Sequence, residues 1–192
     1  TFDAEIEALA GRCDAVCVGT LAQRSTVSRK TILQFLRKTP AHCLRVFDVN
    51  LRQEYYSIEQ LEETMECADV IKVSDEELPE VCSLLSIEYT IDALSSLLDS
   101  KNLKMIAITR GDKGSILLTE SGATDHLAAS QGIVVDVVGA GDAFTAALVM
   151  GMLSGLPLEK INASANEYAG YVCSQLGAMP NVPPELVKSF FA

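Results

Sequence analysis

The sequence predicts an α/β fold in which a mostly parallel sheet is sandwiched by helices and carries a C-terminal β-hairpin. Short apolar runs of strand length alternate with stretches of helix length, a spacing typical of parallel strands joined by right-handed crossovers. Two later runs flanking a Glu-Ser-Gly-Ala turn indicate the hairpin. The 192 residues are long enough to bury a full core and are most simply one domain, 1–192.

The individual elements follow from these runs in chain order. The first segment, TFDAEIEALAGR, is an acidic amphipathic helix pattern. Buried strands are predicted at Ala15–Gly19, Leu44–Asp48, Val70–Val73 and Met105–Thr109. Helices are predicted at Val27–Lys38, Ile58–Cys67, Glu76–Leu85 and Ile91–Lys101. The later part predicts hairpin strands at Ser115–Thr119 and Thr124–Leu127, a strand-like run at Ile133–Val135, helices at Ala143–Leu153 and from Leu158 to about Leu176, and a Pro-rich tail at Pro180–Pro184.

Composition narrows the class of protein. The net charge of −11 argues against a nucleic-acid partner or an anionic membrane surface. No apolar run approaches the ~20 residues of a membrane-spanning helix. The 6 cysteines include no CxxC pair and the chain has 2 histidines, which argues against a zinc site. We therefore expect a reduced, cytoplasmic protein that holds any anionic ligand by local donors and a metal.

The segment DVVGAGDAFTAA, residues 136–147, is the most informative part of the chain. Small residues at Gly139–Gly141 open an apolar helix, so the first backbone N–H groups of that helix are open to close approach. Those N–H groups and the positive end of the helix dipole favour an anion. The single acid beside them is Asp142. An anion cradle next to one carboxylate is what phosphoryl transfer to a hydroxyl needs.

Other interpretations of this segment compete with a role in phosphoryl transfer. Asp142 could be a helix N-cap, a position where aspartate is favoured. A dinucleotide-binding GxGxxG loop would need glycine where Phe144 stands, and it would follow the first strand. The phosphate-binding loop that ends in Lys and Ser or Thr is absent from the sequence.

Three more polar segments follow predicted strands, where open α/β sheets bind ligands. They are FDVNLR at 47–52, KVSDEEL at 72–78 and TRGDKG at 109–114. Each also has a simpler interpretation: a strand-ending Asp with a solvated Arg, a Ser-x-x-Glu capping box, and a tight turn. Asn166, on a predicted helix rich in small and apolar residues, could be a solvent-facing residue.

Together these segments resemble the ribokinase/phosphofructokinase-B family of carbohydrate kinases. The resemblance implies a ribokinase-like fold, with Gly139, Ala140 and Gly141 as the anion hole and Asp142 as the catalytic base. It also implies that Asp48 and Asn50 line the active site and that Arg52 reaches the nucleotide phosphates. Glu77 would act through water on Mg²⁺, although Ser74 stands where the family usually has Asn. The expected nucleotide-binding residues are Lys72, Thr109, Gly111, Gly114 and Asn166.

The resemblance covers essentially the whole chain, but only the C-terminal portion of the family pattern. The family's N-terminal lid, its glycine pair near the sugar and its sugar-binding Asp have no counterpart here. We therefore expect a kinase domain truncated at its N-terminus that retains the nucleotide-binding part.

The expected function is that of an ATP-dependent sugar kinase that uses Mg²⁺. The D-x-N-x-R and GAGD segments are more similar to the fructokinase branch than to nucleoside kinases, which favours fructose or a similar hexose. The partner is then a small sugar, with a homodimer as a further expectation because family members often dimerise through the lid. Two alternatives remain open: a nucleotide-binding fragment without turnover, and an NAD-binding dehydrogenase domain.

Overall fold

The computed structural model describes residues 2–126 and 133–188. The described strands are β1 (Ala15–Gly19), β2 (Leu44–Asp48), β3 (Val70–Ser74), β4 (Met105–Thr109), β5 (Ser115–Thr119) and β6 (Gly122–His126). They form one sheet in the order β1-β2-β3-β4-β5-β6. The pairs β1–β2 and β2–β3 are parallel, with Ala15 opposite Leu44 and Val46 opposite Val70. The predicted α/β architecture is therefore confirmed.

Helices connect and follow these strands. They are α1 (Ala4–Ala10), α2 (Thr26–Lys38), α3 (Ile58–Met65), α4 (Leu78–Leu84), α5 (Ile91–Ser100), α6 (Ala140–Leu153), α7 (Leu158–Cys173) and α8 (Pro184–Lys188). Short 3-10 helices lie at Leu21–Gln23 and Gly111–Lys113. Within the described ranges, no helix is long and apolar enough to cross a membrane.

The chain divides into two compact units. Unit 1 comprises Thr1–Ala107 and Leu118–Ser121, and unit 2 comprises Ile108–Leu117 and Gly122–Ala192. The expectation of one domain over 1–192 stays a prediction.

Unit 1 is built around the central parallel strands. Almost every residue of β2 and β3 is buried, which is the pattern expected of strands covered on both faces. Phe47, Leu61 and Met65 are fully buried in this core. The helices begin at polar caps: the side chains of Asp3, Ser25, Ser57 and Thr90 accept backbone hydrogen bonds at the starts of α1, α2, α3 and α5.

Unit 2 is dominated by the packing of α6 on α7. Phe144, Ala147 and Leu148 of α6 are buried. Gly151 allows the two helices to approach closely, because a Cβ there would lie 3.0 Å from Cγ1 of Ile161. β5 and β6 are neighbouring strands, as the hairpin prediction requires, but β6 begins at Gly122 rather than Thr124, so the turn has two residues instead of four.

Several predicted boundaries need correction. Ile133–Val135 forms no strand: these residues are 84%, 64% and 53% exposed, and Val135 N–H donates to the carbonyl of Cys173 at 2.8 Å. Helix α4 begins at Leu78 rather than Glu76, since a hydrogen-bonded turn at Ser74–Glu77 precedes it. The predicted strand end at Leu127 lies outside the described residues.

The last part of the chain also differs from the expectation. Helix α7 ends at Cys173 instead of near Leu176. The last turn tightens there, because Ser174 N–H and Gln175 N–H donate to the carbonyls three residues back, those of Tyr171 and Val172. Gly177 then takes a φ of 82°, which a right-handed helix does not allow. The Pro-rich tail, Pro180–Pro184, leads into the short helix α8, which begins at Pro184.

Candidate active site

In unit 2, the start of α6 forms the predicted anion-binding turn. Gly139 is the N-cap and has a φ of 85°, in the left-handed region that disfavours a side chain. A Cβ on Gly139 would lie 2.7 Å from the carbonyl oxygen of Ala178 and 2.8 Å from its Cα. Gly139 is therefore required for both its conformation and its contact with the chain after α7.

The helix start leaves backbone donors open. Among the described residues, nothing accepts a hydrogen bond from the N–H groups of Gly139, Gly141 and Asp142. The N–H of Ala140, by contrast, donates to Val137 at 3.3 Å. Within the predicted hole of Gly139–Gly141, the N–H groups of Gly139 and Gly141 are thus available to an anion, and that of Asp142 lies next to them.

The Asp142 carboxylate lies beside these open donors and is exposed. Asp142 is the third residue of α6, and the Gly139 cap makes no side-chain hydrogen bond. The interpretation of Asp142 as an N-cap is therefore wrong. The carboxylate is accessible to a substrate hydroxyl, which is what a base in this position requires.

Asp136 braces the same turn, and the sequence did not point to it as a functional residue. Its Oδ1 accepts from Val138 N–H at 3.0 Å and its Oδ2 accepts from Gly177 N–H at 3.2 Å. Burial, with the nearby charge of Asp136, raises the pKa of the Cys173 thiol, so this cysteine is a neutral packing group. An Asp two residues before a turn is a known local signal, because its side chain can bind backbone N–H groups.

The predicted nucleotide loop after β4 is a tight turn. Arg110 N–H donates to the Gly114 carbonyl at 2.8 Å. Gly111 and Gly114 have φ values of 57° and 84°, so both glycines are needed for the turn. Thr109 ends β4 and is half-buried. The turn interpretation is confirmed, and the nucleotide role of Thr109, Gly111 and Gly114 stays a prediction.

Asn166 forms a hydrogen bond with Ser115, the residue that follows this turn. Its Nδ2 donates to Ser115 Oγ at 2.6 Å and to the Asn162 carbonyl at 2.8 Å. Ser115 and Asn162 are fully buried, and Asn162 Nδ2 donates to the Thr124 carbonyl at 2.9 Å. Asn166 is thus not a solvent-facing residue but part of a polar cluster that joins α7 to β5 and β6. The i, i+4 spacing of two asparagines on one helix is a signal that could have identified this cluster.

In unit 1, Asp48 and Lys72 form a buried ion pair. Lys72 Nζ lies 3.1 Å from Asp48 Oδ1, and the side chains are 8% and 9% exposed. The pairing follows from the parallel register, which places Asp48 opposite Lys72. The Lys72 ammonium is therefore held by a carboxylate of its own chain, and its predicted contact with a nucleotide stays a prediction.

Glu77 and Ser74 form the predicted capping box. Ser74 N–H donates to Glu77 Oε2 at 3.0 Å, Ser74 Oγ donates to the same oxygen at 2.8 Å, and Glu77 N–H donates to Ser74 Oγ at 3.2 Å. The other oxygen, Oε1, accepts from Leu51 N–H at 2.7 Å. The capping box therefore uses one carboxylate oxygen of Glu77, and the Leu51 N–H uses the other.

This arrangement bears on Mg²⁺. In the parts of the chain that the structure describes, no group of three or more His, Cys, Asp or Glu side chains could hold a metal ion. Both carboxylate oxygens of Glu77 already accept hydrogen bonds. Glu77 therefore does not fit as a direct metal ligand, and a contact through water stays a prediction.

The loop after β2 carries Asn50 and Arg52. Asn50 has a φ of 43°, and its carbonyl accepts a hydrogen bond from Thr20 Oγ1 at 3.0 Å. Arg52 is exposed, and its Nη1 donates to the Leu51 carbonyl at 3.3 Å. Thr20 was not predicted to matter, although it is a polar residue directly after β1, where ligand-binding loops begin.

Comparisons with known proteins identify relatives. The chain is 33% identical over 168 residues to a sugar kinase of Pyrococcus horikoshii, covering 83% of this chain and 50% of the relative. It is 27% identical over 151 residues to the nucleoside kinase of Methanocaldococcus jannaschii, covering 79% of this chain and 48% of that protein. The chain thus spans about half the length of these relatives.

Solved structures show the same fold. The crystal structure of the Pyrococcus horikoshii sugar kinase in complex with ATP has a TM-score of 0.75 at 29% identity, covering 89% of this chain and 55% of that one. Aminoimidazole riboside kinase from Salmonella enterica, complexed with aminoimidazole riboside and an ATP analog, has a TM-score of 0.75 at 26% identity, covering 93% and 62%.

A family profile described as pfkB family carbohydrate kinase matches residues 2–185. This match supports a kinase over the NAD-binding dehydrogenase that the sequence left open. The open helix start of α6, with its exposed carboxylate, lies inside the matched region. The chain belongs to the pfkB family of carbohydrate kinases.

Proposed function

We propose that this chain is the nucleotide-binding part of an ATP-dependent sugar kinase that transfers the γ-phosphate of ATP to a sugar hydroxyl. One observation carries the proposal: open backbone N–H groups at the start of α6 stand beside the exposed carboxylate of Asp142. Membership of a carbohydrate kinase family supports the same chemistry.

The start of α6 would provide charge stabilisation. The γ-phosphoryl group carries negative charge on its equatorial oxygens during transfer, and fixed N–H donors stabilise that charge without reorganising. Gly139, Gly141 and Asp142 supply such donors. Gly139 and Ala140 shape the turn. The positive end of the helix dipole adds to their effect.

Asp142 would act as the base. It orients the sugar hydroxyl, whose oxygen forms a bond to the γ-phosphorus as the bond from that phosphorus to ADP breaks. The hydroxyl proton passes to the Asp142 carboxylate. A loose transition state requires little basicity until the transfer is well advanced, which suits an ordinary carboxylate.

We also assign nucleotide contacts to residues within each unit. In unit 1, the exposed Arg52 guanidinium offers paired donors to phosphate oxygens. In unit 2, we assign the loop of Thr109, Gly111 and Gly114 to the phosphates and ribose, and Asn166 to the adenine edge. We also assign Lys72 to the nucleotide, because its ion pair with Asp48 holds the ammonium at the end of β2.

Mg²⁺ would accompany the nucleotide rather than sit in a preformed protein site. When bound with the nucleotide, Mg²⁺ would neutralise negative charge on the phosphates. Binding with the nucleotide agrees with the hydrogen bonds already made by both oxygens of Glu77. Glu77 could reach the ion only through a water molecule.

We further propose fructose or a similar hexose as the acceptor, because the D-x-N-x-R segment at 48–52 is similar to that of fructokinases. The competing acceptor is a nucleoside or riboside, since the relatives include a nucleoside kinase and an aminoimidazole riboside kinase. ADP formation measured with fructose, glucose, ribose and inosine separates hexose acceptors from riboside acceptors. We also propose that the protein is cytoplasmic and forms a homodimer.

The substitution Asp142→Asn tests the proposal. Removal of a general base costs about 10²–10⁴-fold in kcat, so ADP formation is expected to fall by that factor with the fold intact. Asp92→Asn is a matched control, because Asp92 is an exposed acid in the first turn of α5. Both variants lose one favourable charge at a helix start, worth about 0.3–1 kcal/mol, and only Asp142→Asn should lose activity. Undiminished turnover in Asp142→Asn would refute the assigned base.

A second candidate function is nucleotide binding without turnover. The chain spans about half the length of its relatives, and the matched part contains the loops assigned to the nucleotide. Calorimetric titration with Mg-ADP and with NADH, in the wild type and in Gly141→Arg, examines this candidate. ADP binding that Gly141→Arg abolishes, without ADP formation from ATP and any sugar, would favour it over the kinase.

A further inference from the structure

Two side chains hold the loop that carries Arg52, one on each side of a single peptide unit. Thr20 Oγ1 donates to the Asn50 carbonyl at 3.0 Å, and Glu77 Oε1 accepts from the Leu51 N–H at 2.7 Å. The carbonyl of Asn50 and the N–H of Leu51 belong to the same peptide group. This peptide plane is therefore fixed at both of its polar atoms by residues distant in sequence.

The two side chains are themselves well anchored. Thr20 is fully buried, and its own carbonyl accepts from Gln60 Nε2 at 2.7 Å. Gln60 is 4% exposed, so this support lies in the interior of unit 1. Glu77 is anchored by its capping box with Ser74.

The loop needs this support because its backbone takes an uncommon conformation. Asn50 has a φ of 43°, a left-handed conformation that L-residues other than Asn and Asp rarely adopt. Without its two hydrogen bonds, the peptide after Asn50 would be free to rotate toward a commoner conformation, and the direction of the following residues would change. Arg52 is exposed and its side chain bonds to the Leu51 carbonyl, so its placement follows that of the backbone.

We infer that Thr20 and Glu77 are positioning residues for Arg52: by clamping the Asn50–Leu51 peptide, they present the guanidinium to an anionic group of the substrate. The identity of the anionic group rests on the proposed function. The clamp itself rests only on the two hydrogen bonds to the Asn50–Leu51 peptide. In this role, the Glu77 carboxylate accepts a hydrogen bond from the backbone of its own chain.

Thr20→Val is the direct test, with Thr64→Val as its matched control. Valine has nearly the shape of threonine and lacks the hydroxyl. Thr64 is as fully buried as Thr20, and its Oγ1 also donates to a backbone carbonyl, that of Gln60, at 2.7 Å. Thr20→Val loses one buried hydrogen bond, and Thr64→Val also loses the contact of its hydroxyl with Gln23 Oε1 at 3.1 Å, so the fall in thermal midpoint is expected to be at least as large in Thr64→Val. Only Thr20→Val loses the clamp on the loop.

The geometric readout is amide hydrogen exchange at Leu51. Exchange is expected to speed up about tenfold in Thr20→Val and to remain at the wild-type rate in Thr64→Val. Thr20→Ser restores the hydroxyl and should restore protection. Equal exchange at Leu51 in Thr20→Val and in the wild type would overturn the inference, whether or not the chain is an active kinase.

A second pair of variants covers the other side of the clamp. Glu77→Ala removes the acceptor of Leu51 N–H, whereas Ser74→Ala weakens the capping box and leaves that acceptor in place. Fast exchange at Leu51 in Glu77→Ala and slow exchange in Ser74→Ala supports the clamp. Equal rates in the two variants would show that Glu77 is a helix cap and no more.

The functional readout is a double-mutant cycle with Arg52→Ala, measured as kcat/KM for ATP. If Thr20 acts through Arg52, Thr20→Val lowers kcat/KM about tenfold in the wild type and has no further effect in Arg52→Ala. Additive losses would overturn the inference. A wild type that neither binds nor hydrolyses ATP would instead refute the proposed function, and the exchange measurement would still decide the clamp.

Discussion

The loop that carries Arg52 in unit 1 and the turn that opens α6 in unit 2 are held in place by different means. In unit 1, polar side chains hold the structure. Asp48 and Lys72 form a buried ion pair at the strand ends, and the Glu77 carboxylate and the Thr20 hydroxyl each bind the backbone of the loop. In unit 2, the turn depends on backbone shape, because Gly139 has no side chain and lies against Ala178.

This difference explains why the two regions tolerate change differently. A site held by buried polar side chains fails when one partner is removed, since the other is left in a medium that solvates it poorly. A site held by close backbone approach fails when an atom is added, since backbone cannot move aside cheaply. Deletion of groups should therefore damage unit 1 most, and addition of groups should damage unit 2 most.

The largest expected loss of stability comes from breaking the buried ion pair. Lys72→Met removes the cation beside buried Asp48 and should lower the free energy of unfolding by about 3–5 kcal/mol. Lys38→Met is the matched control, since Lys38 pairs with Glu7 at 2.6 Å and both side chains are more than half exposed. The exposed pair should contribute about 0–1 kcal/mol. Urea unfolding measures both, and equal losses would refute the contrast.

The next effect concerns the glycine turn of unit 2. Gly139→Ala adds a methyl group at a φ of 85° and 2.7 Å from the Ala178 carbonyl oxygen, so a loss of about 2–4 kcal/mol is expected. Gly155→Ala is the control, because Gly155 has a φ of 67° and open space around it. Its loss of about 1–2 kcal/mol reports conformational strain alone. If the two variants unfold at the same urea concentration, the contact with Ala178 has no energetic role.

The smallest expected effect is a pH dependence in unit 1. Burial raises the pKa of Asp69, but hydrogen bonds from the Arg45 side chain and backbone, with one from Lys104, outweigh it, and the net pKa is lowered. The Asp69 carboxylate therefore stabilises the fold above its unfolded pKa of about 4, and this stability is lost as the pH falls through the folded value.

The contribution is modest because the Arg45 and Lys104 side chains are 28% and 53% exposed. Thermal melts of the wild type and Asp69→Asn between neutral and acid pH measure it. The variant is expected to lose stability at neutral pH and to show a shallower decline toward acid. Parallel curves for the two proteins would contradict the assignment.

Much of the fold could be read from the sequence because its signals are local. Apolar runs predicted the bounds of β1, β2 and β4 to the residue. β2 and β4 are mostly buried, as expected of strands covered on both faces, whereas the prediction that β1 is buried is wrong, because its residues are partly or fully exposed. The capping box at Ser74 and Glu77 and the turn at Gly111 and Gly114 were also predictable, because each is made by residues within one short segment.

The apolar run Ile133–Val135 shows where this reasoning fails. A strand requires a neighbour to pair with, and the run instead bonds through Val135 to the carbonyl of Cys173 at the end of α7. Apolar composition alone therefore predicted the wrong structure. The pairing partner of a segment is a long-range property that composition does not contain.

The sequence by itself determined the family, the order of strands and helices, and the helix start that opens at Gly139. Only the tertiary structure decided how the loops at these strand ends are held: Thr20 on Asn50, Glu77 on Leu51, and Asn166 on Ser115. Each of these bonds joins residues far apart in the chain. Folding must first bring the strands side by side before such groups can meet. A local pattern such as the spacing of Asn162 and Asn166 can therefore indicate a polar cluster but not its partner distant in the sequence.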